Sequence, residues 1–175
     1  SLRAPEYAPG EAFSYLGRRY RLKLVDRQDH PLQFDGAQFT LRRDAHSAEA
    51  HFRNWYVTAG TDWLRRRVDT LSARTGSKPR RMEVRDLGFR WGSCGRNGVL
   101  YFNWKLLQLP VRLADYVIVH ELVHLCEEHH GPEFWAALGR AMPDWQKRKD
   151  ALADRAKDYL VFGLPPSRPG HPRIS

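Results

Sequence analysis

The stretch His120-Glu121-Leu122-Val123-His124 determines how the rest of the chain is interpreted. On an α-helix, side chains four residues apart lie one turn apart on one face, so the imidazoles of His120 and His124 can bind one metal ion. Glu121 is then beside that ion, where its carboxylate can take a proton from an activated water molecule. Because zinc prefers such nitrogen ligands, the stretch predicts a zinc-binding helix with Glu121 as general base.

The surrounding residues predict that this helix is apolar and runs from Arg112 to about Glu127. Its other face carries aliphatic side chains and one thiol, Ile118, Val119, Leu122, Leu125 and Cys126. A His-Glu pair on a buried helix costs free energy unless a metal or a polar partner compensates. The alternative interpretation is two histidines that form hydrogen bonds within the core.

A catalytic zinc ion needs a third protein ligand, and the candidates follow the helix. His130 lies just before Gly131-Pro132, where a loop can turn the chain back toward the metal. His129 is a rival by position, and so are the acidic residues nearby, Glu127, Glu128 and Glu133. The residues alone favour a histidine without selecting one of the two.

The length and composition predict one domain with a hydrophobic core. Its 175 residues are 42% hydrophobic and 12% aromatic, which excludes wholesale disorder, and no apolar run is long enough for a membrane span. Two cysteines, Cys94 and Cys126, exclude a disulfide scaffold and are typical of a reducing compartment. With no charged-then-apolar leader at the start, we predict a cytoplasmic protein.

The net charge of +9 makes an acidic partner plausible, such as nucleic acid, a nucleotide or an acidic peptide. A solvated basic surface is the alternative explanation. The run Arg65-Arg66-Arg67 lies within a predicted helix and is interpreted as a solvated face.

Hydropathy patterning divides the chain into an N-terminal arm (1–14), one domain (15–160) and a disordered tail (161–175). Residues 15–45 are β-rich: Tyr20–Val25 alternates apolar and charged side chains, and Asp35-Gly36 is a hairpin turn. Residues 46–160 add predicted helices at Ser47–Thr75, at the metal helix, from Pro132 onward and from Pro143 to about Tyr159. They also add predicted strands at Arg81–Leu87 and Val99–Trp104, with Phe89–Cys94 as a connection between them. The predicted class is α+β, with an antiparallel sheet, a long helix and the metal helix.

An ordered series of motifs carries a family resemblance. They are Arg90-Trp91-Gly92-Ser93-Cys94, Phe102-Asn103-Trp104-Lys105-Leu106, Leu109-Pro110, residues 115–125 around the metal motif, and His130-Gly131-Pro132-Glu133-Phe134-Trp135. The series resembles the YgjP-like metallopeptidase family of bacterial zincins, which is distantly similar to the SprT and WLM types of metalloprotease. The resemblance implies a zincin-like fold, with Zn²⁺ bound by His120, His124 and His130 and with Glu121 as general base. It thus selects His130 over His129.

Weaker candidates surround this centre. Tyr116 lies one turn before His120, where its hydroxyl is either a donor to a developing oxyanion or simply packed. Asp115 is predicted either to accept a hydrogen bond from a metal-binding histidine or to favour the start of the helix. Arg90 is a further candidate for contact with the metal-binding histidines. The resemblance implies that an edge strand pairs with extended substrate, which we assign to Val99, Leu100, Tyr101 and Asn103.

The predicted function is a zinc-dependent metallopeptidase that acts on peptides or proteins. One alternative is a metal-dependent nucleotide phosphohydrolase, because activation of water by a metal is not restricted to peptide bonds. Others are a nucleic-acid-associated module with a structural metal, and a protease that acts on nucleic-acid-bound proteins. No membrane partner is predicted.

Overall fold

The structure is a computed structural model that describes residues 4–160 and 173–174. Within these residues the chain forms two four-stranded sheets, four α-helices and one 3-10 helix. In chain order the elements are β1 (Ala12–Tyr15), β2 (Arg18–Val25), β3 (Leu32–Phe34), β4 (Gln38–Arg42), α1 (Ala48–Thr75), β5 (Arg81–Arg85), β6 (Arg90–Cys94), β7 (Val99–Asn103), the 3-10 helix (Trp104–Gln108), α2 (Val111–His124), α3 (Pro132–Ala141), α4 (Trp145–Leu160) and β8 (Arg173–Ile174). One hydrophobic core joins both sheets and all four helices, so the predicted α+β single domain is confirmed.

The first sheet has the strand order β1-β2-β4-β3. Alternation turns its aromatic and aliphatic side chains to one face, which packs on α1. β1 lies partly within the segment predicted as an arm, because Phe13 is buried in that core and its strand pairs antiparallel with β2. The predicted hairpin at Asp35-Gly36 is confirmed by the antiparallel pairing of β3 with β4.

The helix α1 is unbroken despite Gly60 in its middle, and it ends before Gly76 as predicted. Its buried residues recur at helical spacing, Phe52, Tyr56, Gly60, Leu64, Val68 and Leu71. A Cβ atom at Gly60 would lie 2.7 Å from Leu107 Cδ2, so the missing side chain lets the 3-10 helix approach α1 closely. Gly60 therefore reflects packing and not a break in the helix.

The second sheet has the order β5-β7-β6-β8 and includes a strand that the sequence did not predict. Phe89–Cys94 was expected to be a connection, but Arg90–Cys94 forms β6 and pairs antiparallel with β7. The sheets are mixed and not purely antiparallel, since β2 pairs parallel with β4 and β5 with β7. The reason is the same in both sheets. The middle strand of three, β3 or β6, forms an antiparallel hairpin with the next strand, β4 or β7. That next strand lies beside the first, β2 or β5, and therefore runs parallel to it.

The metal helix α2 is buried along nearly its whole length and packs against α1, α3, α4 and β6. It ends at His124, earlier than predicted, and Cys126 consequently lies exposed beyond the helix and outside the predicted core. In the described part of the chain, no helix is long and apolar enough to cross a membrane. The predicted disordered tail lies outside the described residues except for Arg173–Ile174, which pair parallel with β6.

Candidate metal centre

Three histidines bring one ring nitrogen each to a common point. His120 and His124 project from α2, and His130 comes from the loop before α3. The Nε2 atom of His130 lies 3.1 Å from Nε2 of His120 and 3.0 Å from Nε2 of His124. Nitrogens that share one tetrahedral zinc ion with bonds of about 2.0–2.1 Å lie roughly 3.3 Å apart, so the donor set has the right size for one ion.

The other ring nitrogens of the two helix histidines have partners that suit metal binding. His124 Nδ1 donates a hydrogen bond to the carbonyl oxygen of Glu127 at 2.9 Å. Because a carbonyl only accepts, the neutral imidazole must carry its proton on Nδ1, which leaves the Nε2 lone pair for a metal. His120 Nδ1 faces the hydroxyl of Tyr116 at 3.5 Å, so its Nε2 is the atom that points to the common centre.

Glu121 is fully buried beside this centre, where α2 meets β6. The contact depends on Gly92, since a Cβ atom there would lie 2.9 Å from Glu121 Cγ and 3.3 Å from Val117 Cγ1. Burial and, secondly, the Glu121 carboxylate raise the pKa of the Cys94 thiol to about 11, and the same two causes raise the pKa of Tyr116. Gly92 is a site residue that sequence reasoning missed: a glycine inside a strand indicates a close approach, but this stretch was not predicted to be a strand.

His130 differs from the two helix histidines because it is exposed and lies on irregular backbone. The indole of Trp135 holds it in two ways: Nε1 donates a hydrogen bond to the His130 carbonyl oxygen at 3.2 Å, and the two rings stack with centroids 5.8 Å apart. Trp145 stacks in turn on Trp135 at 4.8 Å. His129 is exposed and is not part of the histidine cluster.

Two of the weaker candidates have partners other than those predicted, and a third is exposed. Asp115 binds no histidine; it forms a bidentate ion pair with Arg67 of α1, with Nε and Oδ1 2.7 Å apart, so Arg67 is not a solvated residue either. The buried hydroxyl of Tyr116 faces Nδ1 of His120, on the other side of the ring from the Nε2 atom, so the structure favours the packed alternative. Arg90 is exposed at the start of β6.

The substrate-pairing strand was also assigned to the wrong position. Val99–Asn103 forms β7, which has β5 on one side and β6 on the other, so its backbone has no free edge for a peptide. Asn103 is 1% exposed, and its amide donates hydrogen bonds to the carbonyl oxygens of Gly88 and Arg90. It therefore fixes the chain entering β6 and does not face a ligand.

A cleft of about 600 Å³ opens beside two of the three histidines. The turn between β6 and β7 lines one part of it, and the segment after α2 lines another. Its lining residues are Cys94, Gly95, Arg96, Gly98, His124, Leu125, Cys126, Glu128 and His130. The Cys126 thiol lies 2.9 Å from the Ser77 hydroxyl. The candidate metal centre is thus reached from a polar groove.

Two histidines on a buried helix and a third from the following loop are a donor set of the kind that metal-dependent hydrolases use. A family model described as the YgjP-like metallopeptidase domain matches residues 1–155. The chain belongs to the YgjP-like metallopeptidase family. The resemblance inferred from the motifs is confirmed by this match.

Among solved structures, the chain is similar to the crystal structure of the metallopeptidase zymogen abylysin from Pyrococcus abyssi. The identity is 18%, the TM-score is 0.49, and the match covers 53% of this chain and 93% of the other. The search of curated proteins gave no match.

Proposed function

We propose that the protein is a zinc-dependent peptidase in which His120, His124 and His130 bind the metal. The observation that carries the proposal is the convergence of three Nε2 atoms, two of them 3.0 and 3.1 Å from the third. Three neutral imidazoles suit zinc better than calcium or magnesium, which prefer oxygen ligands. A zinc ion held there would act as a Lewis acid and would lower the pKa of a bound water to about 7.

Glu121 is the general base of the proposed reaction. Glu121 follows His120 directly in the helix, and its side chain is fully buried against Gly92 of β6. The carboxylate takes a proton from the attacking water and returns it to the leaving amine. Gly92 permits this position because no side chain separates β6 from Glu121.

We assign substrate pairing to β6 in place of β7. One side of β6 is paired with β7, and the opposite side is paired with the two-residue strand β8 (Arg173–Ile174), so an extended peptide would pair here by taking the place of β8. Gly92 in β6 is next to Glu121, so a peptide extended along this strand would pass close to the proposed base. The polar cleft beyond Cys94 would accept its side chains.

The decisive test replaces the base and retains the metal ligands. We expect Glu121→Gln to bind one zinc per chain and to lose about 10²–10⁴-fold in cleavage of denatured casein. Glu128→Gln is the matched control, since this exposed glutamate lines the same cleft. Zinc content is measured by mass spectrometry of metals on the same preparations.

Undiminished turnover in zinc-loaded Glu121→Gln would exclude the proposed base. Hydrolysis of nucleoside triphosphates without casein cleavage would exclude the peptidase and favour a phosphohydrolase. Removal of metal by a chelator should abolish activity, and Zn²⁺ should restore it better than Mg²⁺ or Ca²⁺. Restoration by Mg²⁺ alone would exclude zinc as the working ion.

A further inference from the structure

The outer face of the first sheet carries a row of cations that the peptidase chemistry does not use. Along β2, alternation turns Tyr20, Leu22 and Leu24 toward the core. It turns Arg19, Arg21 and Lys23 outward, and all three are exposed. Residues two apart on a strand are about 6.8 Å apart, so the three charges form a straight row of about 14 Å.

The neighbouring strands extend this row without neutralising it. The residues paired with the three cations are small or polar and uncharged, Ser14, Ala12, Gln38 and Thr40. Arg42 lies beside Val25 at the end of β4 and adds a fourth cation. The four strands of this sheet contain no Asp or Glu at all. We call the outward side chains Arg19, Arg21, Lys23 and Arg42 the basic face.

In the second sheet, by contrast, exposed arginines form ion pairs with a carboxylate. On β5, Glu83 forms ion pairs with both Arg81 and Arg85. On the basic face, Arg42 pairs with Asp44 at its margin. In the described part of the chain, no ion pair involves the three cations of β2. The three cations of β2 therefore form an aligned row on one strand with no carboxylate of the described residues paired to it.

We propose that the basic face binds the sugar-phosphate backbone of nucleic acid, an activity beyond the proposed peptidase. Arginine suits this partner because its planar fork matches a phosphate group. A membrane surface fits less well, since the face has no large apolar side chain to insert between lipids. The aromatic residues of this sheet point inward, so bases have no ring on which to stack.

These features specify the kind of binding. Contacts limited to phosphates position a protein on nucleic acid without reading its sequence. Four phosphate contacts would make the logarithm of the binding constant for duplex DNA fall with the logarithm of salt concentration with a slope of about −3.6. We expect no preference between duplexes of different sequence.

The test measures binding of a fluorescent 20-base-pair duplex by anisotropy over a range of salt concentrations. We expect the triple variant Arg19→Ala/Arg21→Ala/Lys23→Ala to reduce the magnitude of the salt slope by about 2.7. The matched control is Arg66→Ala/Arg74→Ala/Lys147→Ala, which removes the same charge from exposed positions elsewhere. The control should keep most of the slope, and both variants should retain casein cleavage.

Equal loss in both triple variants would overturn the proposal, because binding would then follow net charge and not this face. Absence of binding at low salt would overturn it as well. Stronger binding to phosphatidylglycerol vesicles than to DNA would assign the face to lipid instead. A melting temperature unchanged from the parent protein verifies that the substitutions leave the fold intact, and failure of the peptidase test would leave these outcomes unaffected.

Discussion

The candidate metal centre has two unlike halves. His120 and His124 lie on a buried helix whose backbone spacing alone places their rings on one face. His130 lies on exposed, irregular backbone, and its position depends on the side chain of Trp135. One half is therefore determined by secondary structure and the other by tertiary contacts.

The two halves are therefore held in position by different interactions. On the helix, backbone hydrogen bonds and core packing hold both imidazoles before any metal arrives. In the loop, the third imidazole is positioned by tertiary contacts, among them the Trp135 hydrogen bond, the stacked Trp135 ring and the ring of Phe134. We therefore expect substitutions in the two halves to affect metal binding to different extents.

The largest effect is expected from the ligands themselves. His124→Ala should abolish stoichiometric zinc binding, because His120 and His130 cannot enclose an ion alone. His130→Ala keeps the two helix donors and should retain a weak site, with affinity reduced by more than about 100-fold. Competition with a chromophoric chelator measures both. Equal loss in the two variants would show that the helix pair is not a preformed half-site.

Gly92→Ala tests how closely the helix half approaches its neighbouring strand. The new Cβ atom would lie 2.9 Å from Glu121 Cγ and must displace the carboxylate or the strand. We expect casein cleavage to fall about 10–100-fold while zinc stays bound. Gly139→Ala is the control, because its Cβ would be 3.7 Å from the nearest atom. Full activity in Gly92→Ala would mean that the contact is not needed.

Arg67→Ala tests what anchors the metal helix to α1. It leaves the carboxylate of Asp115, whose side chain is 7% exposed, without its ion-pair partner. We expect the free energy of unfolding to fall by about 2 kcal/mol, a moderate value because Arg67 is itself partly exposed. Urea denaturation measures this. Zinc affinity should hardly change; a tenfold loss would show that the ion pair positions the ligands.

Trp135→Phe probes the loop half with the smallest change. Phenylalanine can keep the stacked ring but loses the Nε1 donor to the His130 carbonyl oxygen. A neutral hydrogen bond contributes about 0.5–1.5 kcal/mol, so zinc affinity should fall by up to about tenfold. Trp135→Ala should lose more. If neither substitution changes zinc affinity, contacts other than those of Trp135 hold His130.

Much of the molecule followed from local pattern. The long helix, the hairpin at Asp35-Gly36 and the start of α3 at Pro132 depend on periodicity and on residues with strong local preferences, so the structure agrees with the prediction. β6 was missed because Arg90–Cys94 has two buried neighbours, Trp91 and Gly92, and no clear alternation. The substrate edge was misassigned for a related reason, since strand order is not encoded in a strand's own residues.

The sequence by itself determined the pair of histidines and the glutamate beside them, because the period of a helix converts spacing directly into direction. Only the tertiary structure decided that Asp115 pairs with Arg67, that Tyr116 lies behind His120 and that Trp135 holds His130. Contacts between residues far apart in the chain depend on how elements pack. No local periodicity specifies which of several polar side chains will meet across such an interface.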